Sequence, residues 1–174
     1  MKTILNGQQL SVTIKRLSHQ ILENSHHTQH IVLIGLQPRG IFFSNRVMKE
    51  VKNIAPGYSI EYGKLDITFY RDDIRQQLHV PNHTDIPFSI ENKRVILIDD
   101  VLYTGRTTRA ALDALLGFGR PSQVELCVLI DRRFSRELPI QPDYTGKSID
   151  SLVTQQVKVL WTERDGEDCV TISD

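Results

Sequence analysis

Apolar positions along the chain fall into two rhythms. Leu10, Ile14, Leu17 and Ile21 recur every three or four residues, which predicts an amphipathic helix over 9–24. Ile31 to Leu36, Val95 to Ile98 and Val124 to Ile130 are instead largely apolar runs. Runs this short and this rich in β-branched residues fit strands buried on both faces of a parallel sheet. Between them, Ile41, Val47, Met48 and Val51 predict a helix that Pro56-Gly57 stops, and residues 59–69 read as a strand. Residues 70–89 are polar, contain Pro81 and Pro87, and read as a long loop of the kind that serves function in compact domains. A strand over 94–99 and a helix over about 106–117 follow, the helix closed by Gly117 and Gly119-Arg120-Pro121. Residues 132–149 read as an irregular segment rich in charge, Pro and Gly. Val157–Trp161 and Val170–Ile172 read as short strands around an Asp165-Gly166 turn. The alternation predicts an α/β fold with a mainly parallel sheet flanked by helices and right-handed crossovers. Residues 1–174 are expected to form a single domain, in which the segment after residue 131 caps the strand ends.

Composition narrows the picture. A length of 174 residues suits one domain, and 40% apolar with 24% charged residues is ordinary for a globular chain. Lys+Arg and Asp+Glu both number 21, so the overall charge makes no case for nucleic acid or membrane, although a local basic face stays open. Cys127 and Cys169 lie in apolar stretches without metal-ligand spacing and are expected to be packed thiols. The start of the chain lacks a signal peptide's apolar core, and no apolar run is long enough to span a bilayer, so a cytoplasmic location is expected. His26, His27 and His30 lie between a helix and a strand without carboxylate or thiol partners, and read as a surface loop.

The chemistry concentrates where the strand at 94–99 ends. Asp99-Asp100 closes the apolar run, and Thr104-Gly105-Arg106-Thr107-Thr108 opens the next helix. Such a turn offers backbone N–H groups, hydroxyls and a helix N-terminus, all suited to a phosphate. Adjacent carboxylates at the carboxyl end of a parallel strand lie where open α/β sheets bind ligands. Phosphate donors beside two acids fit a ribose 5-phosphate. No Gly-Lys-Ser/Thr follows, which excludes a P-loop.

Val95 to Thr107, with its apolar run, Asp-Asp and Thr-Gly-x-Thr, resembles the signature of the type I phosphoribosyltransferases, which bind phosphoribosyl pyrophosphate. The resemblance implies that Asp99 and Asp100 meet the ribose hydroxyls, directly or through the shell of a magnesium ion. That ion would be held mainly by substrate oxygens, with no direct protein ligand expected. Thr104, Gly105, Arg106, Thr107 and Thr108 would hold the 5-phosphate. Pro38-Arg39-Gly40 matches the position of the family's pyrophosphate loop, with Pro38 where relatives carry Thr. Phe69-Tyr70-Arg71-Asp72-Asp73 resembles the start of the family's catalytic loop, from which Arg71 and Arg75 could reach pyrophosphate. A solvated loop charge is the plainer reading of either arginine. The segment after residue 131 corresponds to the family's hood over the base, built from about 132–149 and the C-terminal strands.

The likeness extends further. Asp66-Ile67-Thr68-x-Tyr70-Arg71-Asp72-Asp73, Val101 to Thr107, Arg136-Glu137-Leu138-Pro139-Ile140 and Asp143-Tyr144-x-Gly146-Lys147 stand in order. This set resembles the branch of the family that joins uracil phosphoribosyl transfer to attenuation of pyrimidine operons. It implies uracil, UMP and phosphoribosyl pyrophosphate as ligands, with Tyr103 and Arg132 near the base. It also implies leader RNA as a partner and a homodimer or higher oligomer. Lys15, His19, Arg136 and Lys147 are the candidate RNA contacts, and a solvated charge is an equal reading of each. Two departures stand out. Arg133-Phe134-Ser135 replaces the branch's Gly-His, and Gln141 stands where it carries Arg. An RNA-binding nucleotide sensor with little catalysis, and transfer to another base, remain alternatives at this point.

Overall fold

The computed structural model describes residues 1–70 and 83–174. In chain order its strands and helices are β1 (Lys2–Leu5), α1 (Gly7–Glu23), β2 (His30–Leu36), α2 (Gly40–Ile54), β3 (Ser59–Leu65), β4 (Arg94–Leu102), α3 (Arg106–Leu115), β5 (Gln123–Arg133), β6 (Tyr144–Asp150), β7 (Gln156–Leu160), the single-turn α4 (Thr162–Asp165) and β8 (Cys169–Ser173). Five strands form a parallel sheet in the order β3-β2-β4-β5-β6, and β1-β8-β7 form a small antiparallel sheet.

Period-2 alternation sorts the central strands between two cores. Ile31, Leu33, Ile96, Ile98, Cys127 and Leu129 face α1 and α2, where they meet Leu10, Ile14, Leu17, Phe43 and Val47. Val32, Ile34, Val95, Leu97, Leu126 and Val128 face the other way and meet Ala110, Ala111, Ala114 and Leu115 of α3. Both cysteines are buried and free, and burial pushes the Cys127 thiol well up. No helix among the described residues is long and apolar enough to cross a membrane.

Several boundaries differ from the sequence reading, each for a local reason. Helix α1 begins two residues early because Asn6 and Gln9 form a reciprocal capping box at 2.9 and 3.0 Å. Strand β3 ends at Leu65 because Asp66 Oδ1 accepts bonds from the Thr68 N–H and hydroxyl, which turns the chain into a 3₁₀ turn over Thr68–Tyr70. Of the segment expected to be irregular over 132–149, residues 132–133 end β5 and residues 144–149 belong to β6, the edge strand of the main sheet. Only Tyr144 of β6 is fully buried, so no apolar run marks it. Strand β1 was not foreseen at all. It is four residues long and buries only Leu5.

The small sheet is locked to α2 by one aromatic and one cation. Trp161 is fully buried and stacks on Phe43, with ring centres 6.5 Å apart. Arg46 lies 4.7 Å over the Trp161 ring, binds both Asp168 oxygens at 2.7 and 2.8 Å, and reaches Glu163 at 2.7 Å. Those hydrogen bonds from Arg46 hold the Asp168 and Glu163 carboxyls below their ordinary values. A depressed carboxyl contributes stability that is present above its unfolded value and lost as pH falls through the folded one. Arg46→Met should therefore lower the urea midpoint at pH 7. The gap from wild type should close as pH drops below about 4, where the carboxylates protonate. A gap that stays constant across a pH series of urea melts would contradict this role.

Candidate active site

Strand β4 outruns its neighbour. Its pairing with β2 stops at Ile98, while pairing with β5 continues to Leu102. Asp99 and Asp100 stand just past that point, inside the strand rather than after it, and are only 8% and 7% exposed. Each carboxylate accepts a backbone bond. The Asp100 N–H donates to Asp99 Oδ1 and the Val101 N–H to Asp100 Oδ1, both at 2.9 Å. Burial pushes the Asp100 carboxyl above its ordinary value, while the charge of Arg39 pulls the other way.

Arg39 arrives from the turn between β2 and α2. The Gln37–Pro38 peptide is cis, and Gly40 begins the helix. A Cβ on Gly40 would lie 2.9 Å from both Asp99 Oδ1 and the Ile98 carbonyl. Glycine is thus what lets this turn close against the acid pair.

On the other side of the pair, β4 leads through Tyr103 and Thr104 to Gly105 at φ +94°, and α3 starts at Arg106. A cavity of about 280 Å³ opens here, lined by Asp99, residues 101–108 and Glu137. The N-terminus of α3 lies on this cavity, and the partial positive charge of a helix start favours an anion. Arg106 Nε binds the Glu137 carboxylate at 2.7 Å. Glu137 was not singled out from the sequence. Its place in Arg136-Glu137-Leu138-Pro139 was visible, but the fold alone brings it beside residue 106.

Tyr103 and Arg132 meet as a pair. The Arg132 guanidinium carbon lies 4.0 Å from the centre of the Tyr103 ring. Arg132 is 6% exposed and also binds Ser151 Oγ at 2.8 Å and the carbonyls of Leu152 and Gln155 at 2.9 and 3.0 Å. It therefore fixes the β6–β7 loop beside the tyrosine. Arg136 works similarly. It donates to the Tyr103 carbonyl and to Asp131 Oδ1.

The structure thus brings Pro38–Gly40, Asp99–Asp100, Tyr103–Thr108 and Arg132 around one end of the sheet. Arg71 and Arg75 lie outside the described residues. The candidate RNA contacts divide. Lys15 and His19 are exposed on α1, which packs against β6, and Lys147 is exposed on β6 itself. Arg136 stands apart at the pocket, bound to Tyr103 and Asp131. Arg16, next to Lys15 and three residues before His19, reaches the Gly146 and Thr145 carbonyls of β6. It joins the α1–β6 flank although the sequence reading passed over it.

Comparison with known proteins agrees with this geometry. The family model described as phosphoribosyl transferase domain matches residues 1–162. A protein named Bifunctional protein PyrR from Elusimicrobium minutum is 47% identical over 173 residues, spanning 98% of this chain and 96% of its own. One of the same name from Bacillus cereus is 45% identical over 175 residues, with the same two shares. Among solved structures, a hypoxanthine phosphoribosyltransferase of Trypanosoma cruzi superposes with a TM-score of 0.75 at 16% identity, covering 98% of this chain and 90% of the other. That likeness speaks to the fold alone. A pocket of paired acids and a phosphate-type turn, a family model spanning most of the sequence, and near full-length relatives lead to one assignment: the chain belongs to the phosphoribosyltransferase family, in the group of the bifunctional PyrR proteins.

Proposed function

We propose that the protein transfers the phosphoribosyl group of phosphoribosyl pyrophosphate to uracil, giving UMP and pyrophosphate, and that it regulates pyrimidine operons by nucleotide-dependent binding of leader RNA. The observation that carries the enzymatic reading is the meeting of three segments distant in sequence, the Arg39–Gly40 turn, the Asp99–Asp100 pair and the Thr104–Thr108 turn. Their spacing along one sheet end suits pyrophosphate, ribose and 5-phosphate in turn.

In the transfer, the bond from C1 to pyrophosphate breaks and C1 bonds to a base nitrogen. Positive charge builds on the ribose, and the buried Asp99 and Asp100 carboxylates stabilise it. Arg39 and the N-terminus of α3 hold negative charge at the two ends of the donor. Tyr103, backed by Arg132, presents a ring face at the base side, beneath a hood that includes residues 132–143. Magnesium fits this site, because the adjacent Asp99 and Asp100 carboxylates supply the hard oxygen donors it takes, directly or through ribose hydroxyls and water. When bound with the donor it would neutralise charge on the pyrophosphate.

Asp99→Asn with Asp100→Asn should reduce kcat with saturating uracil on the order of a hundredfold or more while the circular dichroism stays native. Wild-type turnover would refute the assignment. Gly40→Ala should also cut kcat/KM by roughly a hundredfold, since the new Cβ must displace Asp99 or its backbone. Activity within twofold of wild type would show that the turn need not close on the acids. A panel of bases, including orotate and hypoxanthine, tests the choice of uracil.

The regulatory arm draws on the α1–β6 flank, with Lys15, Arg16, His19 and Lys147 contacting RNA phosphates and a homodimer gathering two copies of the flank. The cytoplasm, where leader RNA and nucleotides meet, is the location this reading requires. Arg16 and Lys147 bond to backbone carbonyls rather than carboxylates, Lys147 to that of Ile4 at 3.2 Å, so their charge is not cancelled. Leader RNA affinity should fall with rising salt, and Lys147→Ala should lower the slope of log K against log salt by about one. Absence of wild-type binding at low salt, with UMP present, would leave the enzyme without this arm.

A further inference from the structure

Glu137 is an acid in the wrong place for a phosphate site. It lines the same cavity as residues 101–108, and its Oε2 accepts a bond from Arg106 Nε at 2.7 Å. Its backbone cannot retreat, because the N–H groups of Glu137 and Leu138 both donate to the Thr104 carbonyl, at 3.0 and 3.2 Å. Gly105 packs beneath them. A Cβ there would meet Leu138 and Ile140 at 3.4 and 3.3 Å. The backbone that carries the carboxylate is therefore fixed beside the very turn that would hold the 5-phosphate. Nothing in the transfer itself calls for an acid at this position, and a negative charge there repels a dianion.

We infer that Glu137 competes with the 5-phosphate for Arg106 and thereby weakens binding of the mononucleotide product. The inference rests on the reading of residues 104–108 as the 5-phosphate site. A phosphate entering the turn draws Arg106 toward itself and leaves Glu137 without that partner. The phosphoribosyl pyrophosphate donor offsets this loss through its pyrophosphate at Pro38–Gly40. The product has no group at that end and bears the loss in full. Glu137 thus favours release of UMP over retention, at a step that limits many enzymes. Because residues 136–138 are bonded to Tyr103 and Thr104, nucleotide occupancy is also felt by the hood segment.

The test is calorimetric titration of UMP and of uridine, which lacks the phosphate, into wild type, Glu137→Gln, Arg106→Met and the double variant. Glu137 and Arg106 are both part-exposed, so the effect is moderate. Glu137→Gln should lower the UMP Kd by about 3- to 10-fold at low salt and by less at high salt. Uridine affinity should not change, and the gain should vanish in the Arg106→Met background. An equal gain for uridine, unchanged or weaker UMP binding in Glu137→Gln, or a gain that survives Arg106→Met would each overturn the inference. Thermal melts of the four proteins, alike within a few degrees, show that any difference is not one of folding. Failure of wild type to bind UMP at all would instead remove the 5-phosphate reading beneath it.

Discussion

Two adjacent carboxylates buried inside strand β4, just past the end of its pairing with β2, set the terms for the rest of this molecule. Burying a carboxylate is costly unless hydrogen bonds or charge compensate it. Here each acid takes a backbone N–H from the residue that follows it, and Arg39 supplies a nearby positive charge. The compensation is partial, as the upward displacement of the Asp100 carboxyl shows. Such a pair favours any positive charge brought close to it. The surrounding structure follows from holding that pair. Strand β4 needs apolar neighbours on both faces to bring it inward, and β2 has to stop at the point where the acids begin. The β2–α2 turn also needs a residue without a side chain at position 40.

The second organising element is a pair of arginines, one near the end of β5 and one just after it. Arg132 is buried and Arg136 half-buried, and both act on Tyr103, one on its ring and one on its carbonyl. Arg132 also draws in the β6–β7 loop, and Arg136 also holds Asp131. Tyr103 lies between the acid pair and the Thr104–Thr108 turn, so the segment after β5 and strand β4 share one joint. Between these arginines, Phe134 takes a positive φ of 66° with its ring in solvent, and two residues on Arg136 turns back to Tyr103 and Asp131.

What was legible in the sequence divides by range of interaction. Helices α1 and α2 and strands β2, β4 and β5 are written locally, as period 3.6 or as apolar runs, because each buries a face or both faces. Strands β1 and β6 are edge strands defined by their partners, with one fully buried residue apiece, so no local pattern announces them. The same division holds at the site. Asp99-Asp100 and Thr104–Thr108 are contiguous, and their chemistry can be read from a single stretch. The Gly40–Asp99 approach, the stacking of Arg132 on Tyr103 and the Glu137–Arg106 pair join residues about 30 or more positions apart, and only the fold reveals them.

An even charge balance leaves a local basic face open, and the distribution of ion pairs shows where one lies. Equal counts of acids and bases suggest a neutral, mixed surface, yet the bases are used unequally. Arg46, Arg94, Arg106, Arg133 and Arg136 are each paired with carboxylates, which cancels their fields at short range. On the flank of α1 and β6, by contrast, no ion pair among the described residues engages Lys15, Arg16, His19 or Lys147. A carbonyl partner orients a cation without neutralising it, so Arg16 and Lys147 are held in place with their charge intact. The flank of α1 and β6 therefore keeps cations whose charge no carboxylate among the described residues offsets. Unoffset cations of this kind give a surface long-range attraction for polyanions, whereas cations already paired with carboxylates act only at short range.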